Sequence, residues 1–220
     1  MTHSAIPAVL LAAGRGRRLG YPKAALEVRG RWMLPLLVHA LRRGGAGPVC
    51  LVLSPEAQRA IAGFGEHGAD LVAVNSDPDA GRTGSLTAGL RALSGAAEAL
   101  LIHPCDVPLL TGEVVAALVL AWRSSPGKER LLARPVTAAG RGGHPLLVGA
   151  DRLPRLREYA PGRPLRDLLD EDRRQVLNVP VPGDPGPFLD VNTAEQLRLL
   201  ENLLEHTPGA EPDPNHPGRE

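Results

Sequence analysis

The sequence predicts an α/β fold in which helices cover both faces of a mostly parallel β-sheet, and two observations support this. First, short apolar runs alternate with segments of helical periodicity; the runs are residues 5–12, 49–53, 71–75 and 99–103. Second, these runs are almost continuously apolar, which is typical of parallel strands buried on both faces. We therefore expect a three-layer α/β/α arrangement, with ligands bound beyond the carboxyl ends of the strands.

Helical periodicity predicts three helices in the first half of the chain, over residues 32–43, 55–62 and 85–93. The first should end at Gly44, and Ser54 should cap the second, because glycine favours helix ends and serine favours helix starts. A loop over residues 13–23 and a short extended piece at 25–28 precede the first helix. This half thus supplies the crossover helices that parallel strands need.

The second half mixes helices with a strand pair. Helices are predicted over residues 111–122, 164–170 and 193–205, with Thr111 and Thr193 as caps. Two apolar runs, 131–136 and 144–148, flank a glycine-rich stretch, which predicts a hairpin or a longer β excursion.

A further strand is predicted over residues 175–179. Residues 206–220 carry almost nothing to bury, and we expect them to form a disordered tail behind a single domain over residues 1–205.

Composition excludes several classes of protein. The chain has 220 residues, 43% of them hydrophobic and 22% charged, with a formal net charge of +1. Since no large basic excess exists to neutralise phosphates in bulk, we expect no nucleic-acid partner. No apolar run approaches the roughly 20 residues that cross a bilayer, so we expect no membrane partner either.

The two cysteines and the amino terminus indicate a cytoplasmic protein. Cys50 and Cys105 lie far apart, without a second Cys or a His at metal-ligand spacing, so we predict neither a disulfide framework nor a zinc site. The apolar run at residues 5–13 lacks a preceding basic segment and is not expected to be a signal peptide.

The strongest motif is the stretch LAAGRGRRLGYPK, residues 11–23, directly after the first buried strand. Gly14 and Gly16 allow backbone N–H groups to approach a phosphate, and Arg18 and Lys23 can place positive charge on the outer phosphates. Lys23 is one of only two lysines, the other being Lys128, which makes a chance lysine in this loop less plausible.

Two familiar phosphate loops fail on spacing. The glycine that follows Gly16 is Gly20, one residue late for the G-x-G-x-x-G dinucleotide pattern, which disfavours a dinucleotide-dependent oxidoreductase. A Walker loop needs a lysine directly after glycine, whereas Lys23 follows Pro22. A phosphate loop of another kind remains, with a flexible basic turn as the alternative.

This loop resembles the signature LAAGxSxRMGxxKxLL of the MobA-like NTP transferases, which include molybdenum cofactor cytidylyltransferases. The resemblance covers roughly residues 5–204 and implies a Rossmann-like, GT-A-like nucleotidyltransferase fold. It implies that the loop wraps an NTP and that Arg18 and Lys23 contact its triphosphate. Gly16 stands where serine is frequent and Leu19 where methionine is frequent. The loop residues implied to bind the NTP are Leu11, Ala12, Ala13, Gly14, Gly16, Arg18 and Lys23.

A second stretch, NSDPDAGRTGSLTAG at residues 75–89, resembles the family segment that opens a helix with Ser-Leu-x-x-Gly. The resemblance places the base and ribose of the nucleotide near Asn75, Gly84, Ser85 and Gly89. A helix start at Gly84 and Ser85 would offer N–H groups and a hydroxyl to a base or phosphate. A plain helix cap at Ser85 is the alternative.

The stretch HPCDVP, residues 103–108, ends the fourth strand. A carboxylate at the carboxyl edge of a central strand can hold Mg²⁺ beside an NTP, and the resemblance makes Asp106 the principal metal ligand. The alternative is an aspartate that caps a turn before Pro108. His103 is interpreted as structural.

Two later motifs concern the second substrate and the metal. Gly143-His144-Pro145 resembles a family element beside the acceptor, which implies that His144 contacts an acceptor phosphate, with a structural histidine as the alternative. The stretch FLDVNTAE, residues 188–195, resembles the closing family element and implies Asp190 as a second metal ligand. Asn192 stands where many cytidylyl members have Asp, which leaves the second ligand open between Asp190 and Asn192.

The chemistry implied is attack of an acceptor phosphate on the α-phosphorus of an NTP, with pyrophosphate leaving and Mg²⁺ as cofactor. Within that family, Ala12-Ala13-Gly14 resembles the loop start of cytidylyl members, whereas guanylyl members tend to show Leu-x-Gly-Gly. The resemblance therefore favours CTP, with molybdenum cofactor as acceptor. One alternative is another NTP with a sugar phosphate or other phosphorylated acceptor. The other alternative is a non-catalytic binding protein that delivers a cofactor to apo-enzymes. Transient contact with such an apo-enzyme is also expected if the protein is the transferase.

Overall fold

A seven-stranded sheet forms the centre of the computed structural model, which describes residues 4–77, 81–158, 167 and 173–205. The strand order is β5-β4-β1-β6-β8-β7-β9, and a separate two-stranded hairpin consists of β2 and β3. The strands are β1 Ile6–Leu11, β2 Glu27–Val28, β3 Arg31–Trp32, β4 Ala46–Leu53, β5 Leu71–Val74, β6 Ala99–Pro104, β7 Leu132–Val136, β8 Leu146–Gly149 and β9 Val176–Pro180.

The sheet is mostly parallel, as the sequence predicts. β1 pairs in parallel with β4 on one side and with β6 on the other, and β4 pairs in parallel with β5. Within the described seven-stranded sheet, β8 alone runs against its neighbours, pairing antiparallel with both β6 and β7, while β7 and β9 are parallel. The runs predicted at residues 131–136 and 144–148 therefore form a hairpin, which is the predicted β excursion.

Six α-helices lie in the described part of the chain: α1 Met33–Arg43, α2 Pro55–Ile61, α3 Gly81–Ala92, α4 Gly112–Arg123, α5 Leu153–Arg157 and α6 Ala194–Glu205. Ser54 caps α2 by accepting a hydrogen bond from the Ala57 amide at 3.1 Å. Thr111 caps α4 and Thr193 accepts a bond from the Gln196 amide at the start of α6. All three predicted caps are confirmed.

Two apolar cores confirm the three layers. Side chains of β1 alternate between them: Ile6 and Leu10 pack into the core shared with α1, α2 and α4, while Val9 packs into the core shared with α3 and α5. A third, smaller cluster joins the β2–β3 region to α6 through residues that include Val28 and Leu200. In the described part of the chain, helices thus cover both faces of the sheet, so that ligands can reach it only at the ends of the strands.

One helix starts earlier than predicted, and two predicted segments lie outside the described residues. The helix predicted over residues 85–93 begins instead at Gly81, because Thr83 is buried and extends the packed face by one turn. The helix predicted over residues 164–170 lies outside the described residues apart from Asp167, and so does the tail at 206–220. Among the described helices, none has the length and apolar character needed to cross a membrane.

Gly89, which the resemblance places near the nucleotide, packs α3 onto the sheet. A Cβ at this position would lie 2.8 Å from Val9 Cγ1 and 3.0 Å from Val52 Cγ2. Only a residue without a side chain lets the helix approach β1 and β4 this closely. The structure therefore gives Gly89 a packing role, and its contact with the nucleotide stays a prediction.

Gly89→Ala tests this role through the sign of its effect. Helix propensity alone would stabilise the variant by about 1 kcal/mol, whereas overpacking should win and destabilise it by about 1–3 kcal/mol. Urea unfolding measures the difference, and a double-mutant cycle with Val9→Ala should show favourable coupling. A Gly89→Ala variant more stable than wild type would contradict the close packing.

Candidate functional site

The loop between β1 and the β2–β3 hairpin folds back on itself. The Lys23 amide donates to the Gly14 carbonyl at 3.1 Å, and the Leu19 amide donates to the Gly16 carbonyl at 2.8 Å. Gly16 has φ of 59°, and a Cβ there would lie 1.8 Å from the Tyr21 carbonyl oxygen. This conformation requires glycine, and it carries Lys23 back towards the end of β1.

A pocket of about 180 Å³ lies where β1 and β6, adjacent parallel strands, reach their carboxyl ends. The chain continues from β1 to β4 on one side and reaches β6 on the other, so this edge is the topological switch point that binds ligands in α/β sheets. Its described lining residues are Leu11, Ala13, Gly14, Arg15, Lys23, Gly81, Arg82, Ser85, Pro104, Cys105 and Asp106.

Asp106 is the buried acid of this pocket, with 3% of its surface exposed. Its Oδ2 accepts hydrogen bonds from Lys23 Nζ at 2.6 Å and from Arg82 Nη2 at 3.1 Å. Burial raises the pKa of the carboxyl, but the charges of Lys23 and Arg82 outweigh burial and hold the pKa below its ordinary value. Asp106 is therefore ionised at neutral pH.

The segment before α6 closes the site from the other side. Lys23 Nζ also donates to Asn192 Oδ1 at 2.5 Å, and Asn192 Nδ2 donates to the Asp190 carboxylate. The Val191 amide donates to the Asp106 carbonyl at 2.7 Å. Both candidates for the second metal ligand, Asp190 and Asn192, thus belong to one hydrogen-bonded network with Lys23 and Asp106.

The donor set suits a divalent cation shared with phosphates. Asp106 Oδ1 is buried and, among the described residues, has no hydrogen-bond partner. A bare carboxylate oxygen in that position is costly unless a cation or water meets it. In the described part of the chain no three His, Cys, Asp or Glu residues group as a metal cage. Mg²⁺ sites commonly use one or two carboxylates with phosphate oxygens and water, which fits Asp106. Asp190 lines a different pocket and is linked to this one through Asn192.

Two imidazoles lie behind the pocket. His103 is fully buried at the end of β6, its Nε2 lies 2.9 Å from the Val107 carbonyl, and its ring contacts the His144 ring edge-on with centroids 6.3 Å apart. Burial lowers the pKa of His103 to about 3. Burial, followed by the charge of Arg82, lowers the pKa of His144 to about 4. Both rings are neutral at physiological pH.

The structure brings many of the predicted residues together. Leu11, Ala13, Gly14, Lys23, Ser85 and Asp106 line the pocket, and Asn75 donates to Ser85 Oγ at 3.0 Å. Ala12 is buried beneath the loop, where its amide extends the pairing to β4. The prediction that Gly84 and Ser85 start a helix is wrong, because α3 begins at Gly81 and Ser85 Oγ donates back to the Gly81 carbonyl.

The cations of the pocket differ in part from those predicted. Arg18 is exposed on the loop, and the loop arginine among the described lining residues is Arg15. Arg82 contacts Asp106, but the sequence analysis does not identify it as a site residue. The helix predicted to start at residue 85 would leave Arg82 in the preceding turn. Starting the helix one turn earlier, at the glycine of Ala80-Gly81-Arg82, would have revealed it.

Known proteins resemble this chain over most of its length. A family model described as the MobA-like NTP transferase domain matches residues 8–176. A molybdenum cofactor guanylyltransferase of Rhizobium meliloti (strain 1021) is 31% identical over 215 residues, covering 94% of this chain and 95% of that protein. A nicotine blue oxidoreductase of Paenarthrobacter nicotinovorans is 30% identical over 206 residues, covering 89% and 96%.

Solved structures share the fold. A protein of Mycobacterium sp. strain JC1, a homologue of one from Mycobacterium tuberculosis, superposes with a TM-score of 0.75 at 25% identity, covering 91% of this chain and 96% of that one. The Mycobacterium tuberculosis H37Rv protein in complex with manganese gives a TM-score of 0.72 at 24% identity, covering 90% and 99%.

The two neutral imidazoles predict a pH-dependent stability. Below pH 6.5, the ordinary pKa of histidine, His103 and His144 bind protons in the unfolded chain but stay neutral in the native state, where their pKa values are lowered. The free energy of unfolding should therefore fall by up to about 1.4 kcal/mol per pH unit for each imidazole as the pH drops towards 4. Asp106, with its lowered pKa, contributes stability that is lost only below its ordinary value of 3.8, outside this window.

Urea unfolding between about pH 7 and pH 5 measures this slope. His144→Gln cannot titrate at this position, so its slope should be smaller than that of wild type, while His67, whose pKa burial also lowers, adds to the slope of both proteins. Equal slopes in the two proteins would contradict the assignment of a neutral His144.

Proposed function

Because the chain belongs to the MobA-like NTP transferase family and is a nucleotidyltransferase, we propose that it transfers CMP from CTP to molybdenum cofactor. The observation that carries this proposal is the 2.6 Å contact between Lys23 of the glycine loop and the buried Asp106. It joins a phosphate-binding cation and a metal-binding carboxylate in one pocket. Those are the two groups that transfer of a nucleotidyl group requires.

The chain's own residues bind and orient the nucleotide. The loop over residues 11–23 presents backbone N–H groups, and Lys23 neutralises the triphosphate together with Arg15, the loop arginine that lines the pocket. An acceptor phosphate oxygen then attacks the α-phosphorus while the bond from that phosphorus to the bridging oxygen breaks, and pyrophosphate leaves with the electron pair. Since no covalent intermediate with the protein is needed, positioning and charge neutralisation supply the rate.

Asp106 and Asp190 would hold Mg²⁺, with Asn192 orienting Asp190 by its side-chain amide. When bound, the ion supplies charge stabilisation at the phosphates. The buried oxygen of Asp106 without a partner among the described residues supports this role. So does the manganese complex of a protein with the same fold.

Two observations bear on the choice of nucleotide. Ala13 lines the pocket and places a methyl group where guanylyl members of the family carry glycine, which favours the smaller cytosine. The curated relatives named guanylyltransferase support GTP as the alternative. Their names also support molybdenum cofactor as the acceptor, with His144 as the residue proposed to contact its phosphate.

One relative is named as an oxidoreductase, and it matches nearly as well as the guanylyltransferase. Family membership by itself therefore leaves redox chemistry as a second candidate. The pocket favours transfer, because an ionised buried carboxylate held by two cations suits a metal–triphosphate complex and has no obvious use in hydride transfer. An assay for NAD(P)H oxidation separates the two.

A pyrophosphate-release screen tests the proposal. We expect release from CTP with Mg²⁺ only when molybdenum cofactor is present, when each of the NTPs is crossed with that acceptor and a panel of sugar phosphates. Asp106→Asn should lower kcat/KM by at least about 100-fold, because it removes the charge that holds the metal. Asp151→Asn, at an exposed ion pair with Arg130, serves as the matched control.

Pyrophosphate release from another NTP, or with another acceptor, would support nucleotidyl transfer but contradict the proposed substrates. Silence with every pair would instead favour a non-catalytic delivery protein. Turnover that survives Asp106→Asn would overturn the metal assignment.

Ala13→Gly tests the nucleotide preference directly. Removing the methyl group enlarges the pocket, so the ratio of kcat/KM for GTP over CTP should rise by about 10-fold or more, since one methyl group is worth about 10- to 200-fold in such pockets. Competition between the two nucleotides in one reaction measures the ratio. Ala12→Gly, beneath the loop, is the control and should leave the ratio unchanged.

A further inference from the structure

Arg82 lies in the first turn of α3 and lines the same pocket as Asp106. Its Nη2 atom lies 3.1 Å from Asp106 Oδ2, yet 59% of its side chain remains exposed. The guanidinium is therefore free to swing towards solvent or towards a ligand in the pocket while its helix stays packed.

Two cations share one carboxylate oxygen here. Lys23 Nζ lies 2.6 Å from the Oδ2 atom that Arg82 also contacts. Because one negative charge faces two positive ones, the cations repel each other and the pocket keeps an uncompensated positive charge. A polyanion relieves that repulsion by giving each cation its own oxygen partners.

The same pair of cations weakens the binding of a free metal ion. A divalent cation approaching Asp106 meets Lys23 and Arg82 on Oδ2, and their charges repel it. The other oxygen, Oδ1, is buried and without a hydrogen-bond partner among the described residues. The Asp106 carboxylate can therefore bind a metal ion, but the side chains of Lys23 and Arg82 block access to it while they remain in contact with Oδ2.

We propose that Arg82 binds the triphosphate and, with Lys23, covers Asp106 until the nucleotide draws both cations away. This inference rests on the proposed nucleotidyltransferase function. Nucleotide binding then uncovers the carboxylate, and the divalent ion and the triphosphate bind cooperatively. Because such coupling is reciprocal, each ligand strengthens the other by the same factor.

The proposal predicts that a single substitution strengthens metal binding and weakens nucleotide binding. Arg82→Gln removes one of the two cations from Asp106, so free Mn²⁺, counted by electron paramagnetic resonance without nucleotide, should bind about fivefold more tightly. The same variant loses a phosphate ligand, so inorganic tripolyphosphate and CTP, titrated by calorimetry in metal-free buffer, should bind about 10-fold more weakly. Neither readout depends on turnover or on the identity of the base.

Arg91→Gln is the matched control, an arginine on the same helix that lines a different pocket, and it should change neither affinity. Unchanged affinities in Arg82→Gln, or a loss of both, would overturn the inference while leaving the proposed function intact. If wild type binds neither tripolyphosphate nor any NTP, the proposed function fails and this inference fails with it.

Discussion

The contact between Lys23 and Asp106 is the interaction on which the rest of the site depends. A carboxylate as buried as Asp106 would be costly to leave unpaired, and Lys23 and Arg82 compensate for the lost hydration. The contact also joins segments that are 83 residues apart in the chain. Whatever draws Lys23 away must replace it with another positive charge, and a divalent ion delivered with phosphates meets that requirement.

The fold makes this contact possible through the order of its strands. β1 and β6 are neighbours and parallel, so the loop after one and the aspartate after the other emerge at the same edge. The hairpin of β7 and β8 extends the sheet, and the segment before α6 returns to the same edge, where Val191 and Asn192 bond to Asp106 and Lys23. One edge therefore collects groups from three distant segments, while helices bury the remaining surfaces.

Local patterns predicted most of the fold, and they placed the glycine loop and Asp106 at the same edge of the sheet. The strands, the caps at Ser54 and Thr111, and the loop ending at Lys23 follow from apolar runs and from residue types with strong local preferences. The role of Arg82 and the contact of Asn192 with Lys23 could not be predicted in this way, because both depend on side chains from distant segments that meet at one oxygen or amine. The packing of Gly89 against Val9 could not be predicted for the same reason, because the sequence alone does not distinguish a glycine that packs against a side chain from one that contacts a phosphate.

A crystal structure with Mg²⁺ and a non-hydrolysable CTP analogue tests the central claim most directly. We expect the ion about 2.1 Å from an Asp106 carboxylate oxygen, with Lys23 Nζ displaced onto phosphate oxygens. A complex in which Lys23 remains on Asp106 and the metal binds elsewhere would contradict the role given to this carboxylate.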